Sequence, residues 1–427
     1  LNMPDNKAIP FLSFPLQEVN SAHNNYESFA SSFQWPSILE EAKEMTEASI
    51  LVYALADLRG LLRMGKLSAN DESRILEFPV TVSDVFDVVQ KNLDALKASF
   101  GENGVDFYLS SLNSIQQSLR HKAIDEMSGE VCLETSHLVL FDDENAANEL
   151  VYGIAINMAR KRITVGFRGS VTLSDFLADA KSLLIHRSSP IEGDTGTIGI
   201  HHGFHDYLFG TKKTAINKCE KIMDHLVELV KKYPDFKIYT TGHSLGGALS
   251  TLFALEAAAD PRLPKPISCI SIASPKVGSI SFRKAFQRME ALHQLRCLRV
   301  ANNKDIITLF PDRGSLSCLY IICCQSNVYR HVGMEMTLYS STSYSFSRSS
   351  ACTSYTALFL RDWMRQFKNA AHVFLTLPFI LFCREDFLKY HGCSEYVERI
   401  AGNGRQLQYQ YLNELYAKGH AIPESSD

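Results

Sequence analysis

Apolar positions recur at helical spacing from Glu40 to Met64, in EEAKEMTEASILVYALADLRGLLRM, and again from Val80 to Ser99, where Ser83 is a candidate N-cap. Both segments are expected to be helices covering a core. Farther on the period shortens. Leu150 to Ile156 and Arg162 to Phe167 are short, apolar and β-branched, and the five residues between them resemble a hairpin connection. Phe236 to Thr241, Ile267 to Ala273 and Leu295 to Val300 are further short strands, interleaved with helical stretches at Thr214 to Tyr233, Ala248 to Ala259 and Ser281 to Leu292. This alternation predicts an α/β class protein, with a mostly parallel central sheet flanked by helices and an N-terminal helical extension. The expected organisation is an arm and helical extension over 1–120, an α/β domain over 121–405 and a polar C-terminal tail over 406–427. Within the domain an insert spans about 337–390. Its first part, YSSTSYSFSRSSACTSYT (339–356), is poor in aliphatic residues and is expected to be a loop.

One apolar stretch, AAHVFLTLPFILFC (370–383), has 14 residues and contains Pro378. A spanning helix needs about 20 apolar residues, so no transmembrane segment is expected. The stretch is instead expected to be a buried or subunit-facing element, or an apolar surface in peripheral contact with lipid. Composition excludes other classes: the 43 Lys+Arg against 47 Asp+Glu give a net charge of −4, and no dense basic run appears, so nucleic acid is not an expected partner. The 10 cysteines are scattered without zinc-type spacing, and those from Cys318 to Cys324 sit in apolar runs as reduced buried thiols would. No metal and no cofactor is expected. Leu1-Asn2-Met3-Pro4 opens no signal-peptide pattern, which favours a cytoplasmic or organellar location over secretion as the expectation.

The candidate chemistry lies in YTTGHSLGGALS (239–250). Gly242, Ser244 and Gly246 fit G-x-S-x-G between a strand and a helix, where the serine occupies a strained turn that exposes its hydroxyl. A serine nucleophile needs a base, an acid that orients the base, and donors for the developing oxyanion. Asp305 follows the strand Leu295 to Val300 in a polar turn and is the candidate acid, with Asp260 and Asp312 as competitors. For the base the residues leave His331, His372, His391 and His420 open. His331 lies in an alternating, strand-like run, His372 begins the apolar stretch, His420 is in the polar tail, and His391 has the freedom of a loop beside Gly392.

Several segments together resemble the class 3, fungal-type lipases and their plant and algal relatives. RITVGFRGSVTLSDFLAD (162–179) is similar to the family's strand and oxyanion loop, IHHGFHDY (200–207) to its V-H-x-G-F segment, and YTTGHSLGGALS to its nucleophile elbow. SIASPKVGSISFRKAF (271–286) and RVANNKDIITLFP resemble two later family segments, and HGCSEYVERI resembles H-x-L-x-x-Y, with Cys393 standing in place of Leu. The resemblance implies an α/β-hydrolase fold and a triad of Ser244, Asp305 and His391. It also implies an oxyanion hole from Ser170 and the backbone N–H of Leu245. The expected activity is hydrolysis of carboxylic esters of acylglycerols or membrane glycerolipids through an acyl-enzyme. The alternatives are a soluble carboxylesterase or feruloyl-type esterase, and a catalytically silent relative that binds lipid or protein. Residues 171–189 could form a mobile lid or a fixed amphipathic helix.

Overall fold

The computed structural model describes residues 35–124, 136–144, 149–170, 184–211, 217–311, 329–348 and 389–419. The chain begins with helices α1 (Ile38–Arg63), α2 (Ala69–Leu76), α3 (Val82–Lys91), α4 (Leu93–Phe100) and α5 (Glu102–Ile124), with a two-residue strand β1 (Val80–Thr81) ahead of α3. Ser37 and Glu40 form a capping box that starts α1. The single helix expected over Val80 to Ser99 is divided. Val80 pairs with Leu138, Thr81 rather than Ser83 is the N-cap, closed by Asp84, and the helix breaks at Asn92. Thr81 wins because its hydroxyl and the Asp84 carboxylate, three residues on, satisfy two orphan backbone donors reciprocally.

The strands that follow are β2 (Ser136–Asp142), β3 (Tyr152–Asn157), β4 (Arg162–Phe167), β5 (Leu184–Ser188) and β6 (Thr197–His201). Next come α6 (His202–Phe209), α7 (Lys218–Lys232), β7 (Lys237–His243), α8 (Leu245–Ala259), β8 (Ile267–Ile272), α9 (Ile280–Ala291) and β9 (Leu295–Asn302). The described chain ends with β10 (Met334–Ser340), β11 (Ser343–Arg348), α10 (Cys393–Gly402) and α11 (Leu412–Gly419). The main sheet runs β1-β2-β3-β4-β7-β8-β9-β10-β11. Its centre, β4-β7-β8-β9-β10, is parallel, while β1 to β4 and the β10–β11 pair are antiparallel. β5 and β6 make a separate two-stranded ribbon. This is an α/β-hydrolase architecture, with the parallel strands buried on both faces.

Strand alternation divides the core. Ile163, Val165, Phe167, Ile267, Cys269, Leu295 and Cys297 pack on one side with α6 to α9, whereas Ile270, Ile272, Leu298 and Val300 pack on the other with residues of α1, α10 and α11. On that second face α1 meets β7 along a polar seam. Glu41 Oε1 accepts from the Tyr239 hydroxyl at 2.6 Å and from the Arg296 guanidinium, and Ser49 Oγ lies 3.2 Å from Thr241 Oγ1. Tyr53 continues the seam to His243. The spacing is the match of a helix and a strand: 41, 49 and 53 share one helix face, and 239, 241 and 243 share one face of β7.

Two expectations fail at the C-terminal side. Ser343–Arg348, expected to lie in an inserted loop, is the edge strand β11, paired in register with β10. Its Ser/Tyr/Phe alternation gives a half-buried edge that needs no aliphatic side chains. The expected polar tail holds α11, whose Leu412 and Tyr416 are buried. The Tyr416 hydroxyl accepts from Cys297 N–H at 2.9 Å and donates to Glu290 Oε1 at 2.6 Å.

Burial raises the Glu290 carboxyl from 4.5 to about 7, against the opposing pull of its bonds to Tyr416 and Arg348. The folded state therefore binds a proton more tightly than the unfolded one. The associated stability is fully present below about pH 4.5 and is lost as the pH rises through about 7, by on the order of 3 kcal/mol. Urea unfolding from pH 4.5 to 8 should show Glu290→Gln gaining on the wild type as pH rises. A difference that stays constant across that range contradicts this account.

Candidate active site

The site forms where β7 ends. Ser244 leaves the strand at φ 59° and ψ −124°, a left-handed conformation unusual for a side-chain-bearing residue, and α8 starts at Leu245. The turn holds because the strand and helix nearly touch. A Cβ on Gly242 would lie 2.3 Å from the carbonyl carbon and oxygen of Gly246, and one on Gly246 would lie 2.2 Å from the Phe167 carbonyl oxygen. The Ser244 N–H donates to Ile272 O at 2.9 Å, fixing the elbow to β8.

Ser244, His391 and Asp305, separated by up to 147 residues, converge. Ser244 Oγ and His391 Nε2 are 2.9 Å apart, and His391 Nδ1 lies 2.9 Å from Asp305 Oδ2. A carboxylate only accepts, so in the neutral ring Nδ1 carries the proton and Nε2 offers its lone pair to the serine hydroxyl. All three residues are buried. Asp305 caps a 3₁₀ turn, Ile306–Leu309, with Oδ1 accepting from Ile307 N–H at 3.0 Å. Its Oδ2 also accepts from the Tyr396 hydroxyl at 2.7 Å, and that hydroxyl accepts from Asn302 N–H at 3.0 Å. Tyr396 belongs to α10, whose N-cap Gly392 directly follows His391, so the segment entering this helix supplies the imidazole and the helix itself anchors the carboxylate. Cys393, where the resemblance expects Leu, is fully buried at the start of α10, and burial pushes its thiol pKa up.

The competing residues lie elsewhere. Asp260 ends α8, about 22 Å along the helix from Ser244, and pairs with Arg262. Asp312, His372 and His420 fall outside the described residues. His331, expected inside a strand, lies in the bend before β10 with Nε2 donating to Thr308 O at 2.7 Å. Gly333 at φ 79° breaks the alternation there, so the ring braces the turn that follows Asp305.

Leu245 opens a helix of 15 residues, and its backbone N–H, in the first turn, has no intrahelical acceptor. Ser170 is half-buried at the exit of β4, after Gly169. Residues 171–183 are outside the described set; of the stretch proposed as lid or helix, 184–188 form strand β5. Among the described residues no group of three or more His, Cys, Asp or Glu side chains could hold a metal ion.

His243 was visible in the sequence only as the neighbour of Ser244. Its ring lies between the site and α1: Nε2 donates to the His391 carbonyl at 2.8 Å, and Nδ1 is 3.3 Å from the Tyr53 hydroxyl. Burial, then the nearby His391 ring, hold His243 well below the usual histidine range, so it is neutral. No local pattern at Tyr53 marks this contact, which joins residues 190 apart.

Residues 164–314 match the family model Lipase (class 3). That span includes Ser170, Ser244 and Asp305, and ends before His391. The chain is 31% identical over 176 residues to Phospholipase A1-II 3 of Oryza sativa subsp. indica, covering 38% of this chain and 41% of the relative. It is 30% identical over 203 residues to Galactolipase DONGLE, chloroplastic, of Arabidopsis thaliana, covering 42% and 41%. The matched region thus spans about two-fifths of the length of these curated relatives. Among solved structures, the native Rhizomucor miehei lipase propeptide complex superposes at a TM-score of 0.40 with 20% identity, over 51% of this chain and 61% of that one. The fold assignment rests on the sheet order given above.

Gly242→Ala would drive a methyl group into backbone with no side chain to yield. The variant should lose about 3 kcal/mol in urea unfolding. Wild-type stability in Gly242→Ala would mean that β7 and α8 are not in the close contact described.

Proposed function

We propose that this chain, a member of the class 3 lipase family, hydrolyses carboxylic ester bonds of membrane glycerolipids through an acyl-enzyme on Ser244. The observation that carries this reading is the continuous run from Ser244 Oγ through the His391 ring to Asp305 Oδ2, two hydrogen bonds of 2.9 Å each. Ser244 Oγ forms a bond to the ester carbonyl carbon while its proton passes to His391 Nε2. Asp305 holds the ring by its Nδ1–H and stabilises the imidazolium. The carbonyl oxygen becomes negative and takes hydrogen bonds from the Leu245 N–H and from Ser170. When the intermediate collapses, the carbon–alkoxide bond breaks and the lysolipid alcohol leaves with the proton from Nε2. Water then attacks the acyl-enzyme by the same route, giving a fatty acid and restoring Ser244. Protons and charge balance within the triad, so the sequence of steps calls for no cofactor.

Relatives named as a phospholipase A1 and a galactolipase support this choice of substrate class over simpler acylglycerols. Such substrates reside in bilayers, and peripheral contact with a lipid surface gives access to them. Among the described residues no helix is long and apolar enough to cross a membrane.

The test is a panel of phosphatidylcholine, monogalactosyldiacylglycerol, emulsified triacylglycerol and a p-nitrophenyl ester series, with released fatty acid as the readout. The wild type should cleave the polar glycerolipids. Ser244→Ala and His391→Ala should fall below about a thousandth of its kcat while remaining folded. His331→Ala should keep its turnover and lose thermal stability. Hydrolysis confined to short water-soluble esters would favour the carboxylesterase alternative, and a folded, inactive His331→Ala beside an active His391→Ala would reassign the base.

A further inference from the structure

A base can take the serine proton only if the backbone carrying its ring is fixed, and in this chain that backbone is held from an unexpected direction. The His391 carbonyl accepts from His243 Nε2–H at 2.8 Å. In a neutral imidazole only one nitrogen carries the proton, so this bond requires that the proton be on Nε2 and that Nδ1 find a donor. Tyr53 provides it, its oxygen 3.3 Å from Nδ1 and 3.4 Å from the His243 carbonyl oxygen, so its one proton is shared between two acceptors of the same residue. Burial pushes the Tyr53 phenol well above its usual range, so it keeps its proton and donates. Deleting that hydroxyl leaves the buried Nδ1 lone pair without a donor and removes the contact that holds the ring towards the His391 carbonyl. Phe107 packs edge-on to both rings, at centroid distances of 5.5 Å to Tyr53 and 5.3 Å to His243, and holds the pair together.

The same phenol reaches the opposite wall of the site. Gly169 passes close against it: a Cβ at Gly169 would lie only 2.1 Å from the Tyr53 oxygen. One helical turn on, Asp57 pairs with Arg168 at 2.8 Å. Both residues that lead into Ser170 are therefore held from α1.

We infer that Tyr53 is a positioning residue for the reaction at Ser244, holding the His243 ring that supports the His391 backbone and packing against the strand exit that carries Ser170. This rests on the roles proposed above for Ser244, His391 and Ser170.

The test compares wild type, Tyr53→Phe, His243→Gln and the double variant, assayed well below their melting temperatures. Tyr53→Phe should lower kcat by roughly 10- to 100-fold with KM within about twofold, the size of loss a small misplacement of a reacting group produces. Gln at 243 offers an amide donor with no imidazole for the phenol to hold, so Tyr53→Phe should cost at least about fivefold less in that background. Effects that simply multiply, or a Tyr53→Phe variant altered only in thermal midpoint or KM, overturn the inference. If Tyr53→Phe does not fold, His243→Gln against His243→Leu decides: the donor-bearing variant should retain turnover and the other lose it, and equal rates overturn the role. A fluorophosphonate probe separates this from the reading of the site itself. Wild type labelled at Ser244, with Tyr53→Phe labelled equally fast, removes the positioning role alone; an unlabelled wild type removes the proposed chemistry.

Discussion

The seam between α1 and β7 is the contact on which the rest of the arrangement depends. Most helices that cover a sheet present only apolar side chains to it. Here Glu41, Ser49 and Tyr53 meet Tyr239, Thr241 and His243, so the helix is set in register as well as pressed against the sheet. Apolar contact tolerates sliding, whereas a hydrogen-bonded row loses every partner when displaced by one turn. The buried Glu41 carboxylate and Arg296 guanidinium raise that penalty, because either left alone in the interior is far more costly than the pair.

From this register the site follows. β7 delivers Ser244 into its strained turn, and β9 delivers Asp305 at the head of a short 3₁₀ turn. α10 packs on α1 and α5, which places His391 at its head between the other two. The N-terminal helices thus form one wall of the candidate site, although the family match begins only at residue 164.

What the sequence made legible is what is local. Gly242 beside Ser244 is explained by its contact with Gly246 four residues on, and the hairpin of β3 and β4 by a run of apolar residues on either side of a polar turn. Asp305 was readable because a strand end and a polar turn mark it. His391 could not be separated from three other histidines by pattern, since what distinguishes it is a contact across 147 residues. β11 and α11 were misread for a related reason: an edge strand can be built from Ser, Tyr and Phe, and a short helix can dock through Leu412 and Tyr416 alone, so aliphatic content underestimates both. Tyr53 gave no sign at all, because a tyrosine in a covering helix is ordinarily packing.

The 190-residue separation between Tyr53 and His243 also bears on how the protein comes into being. On the ribosome, where chains lengthen at about 5–20 residues per second, α1 waits roughly 10–40 s before the strand that covers its seam has been made. His391 follows later still. During that interval the polar row of α1, with Met45 beside it, has not yet met β7 and β8, and it is open to chaperones or to the same face of a neighbouring nascent chain. Long-range closure of this kind makes the docking of α1 on β7 a late and slow event, so the burial of Tyr53 against His243 during refolding reports the end of folding and not its beginning.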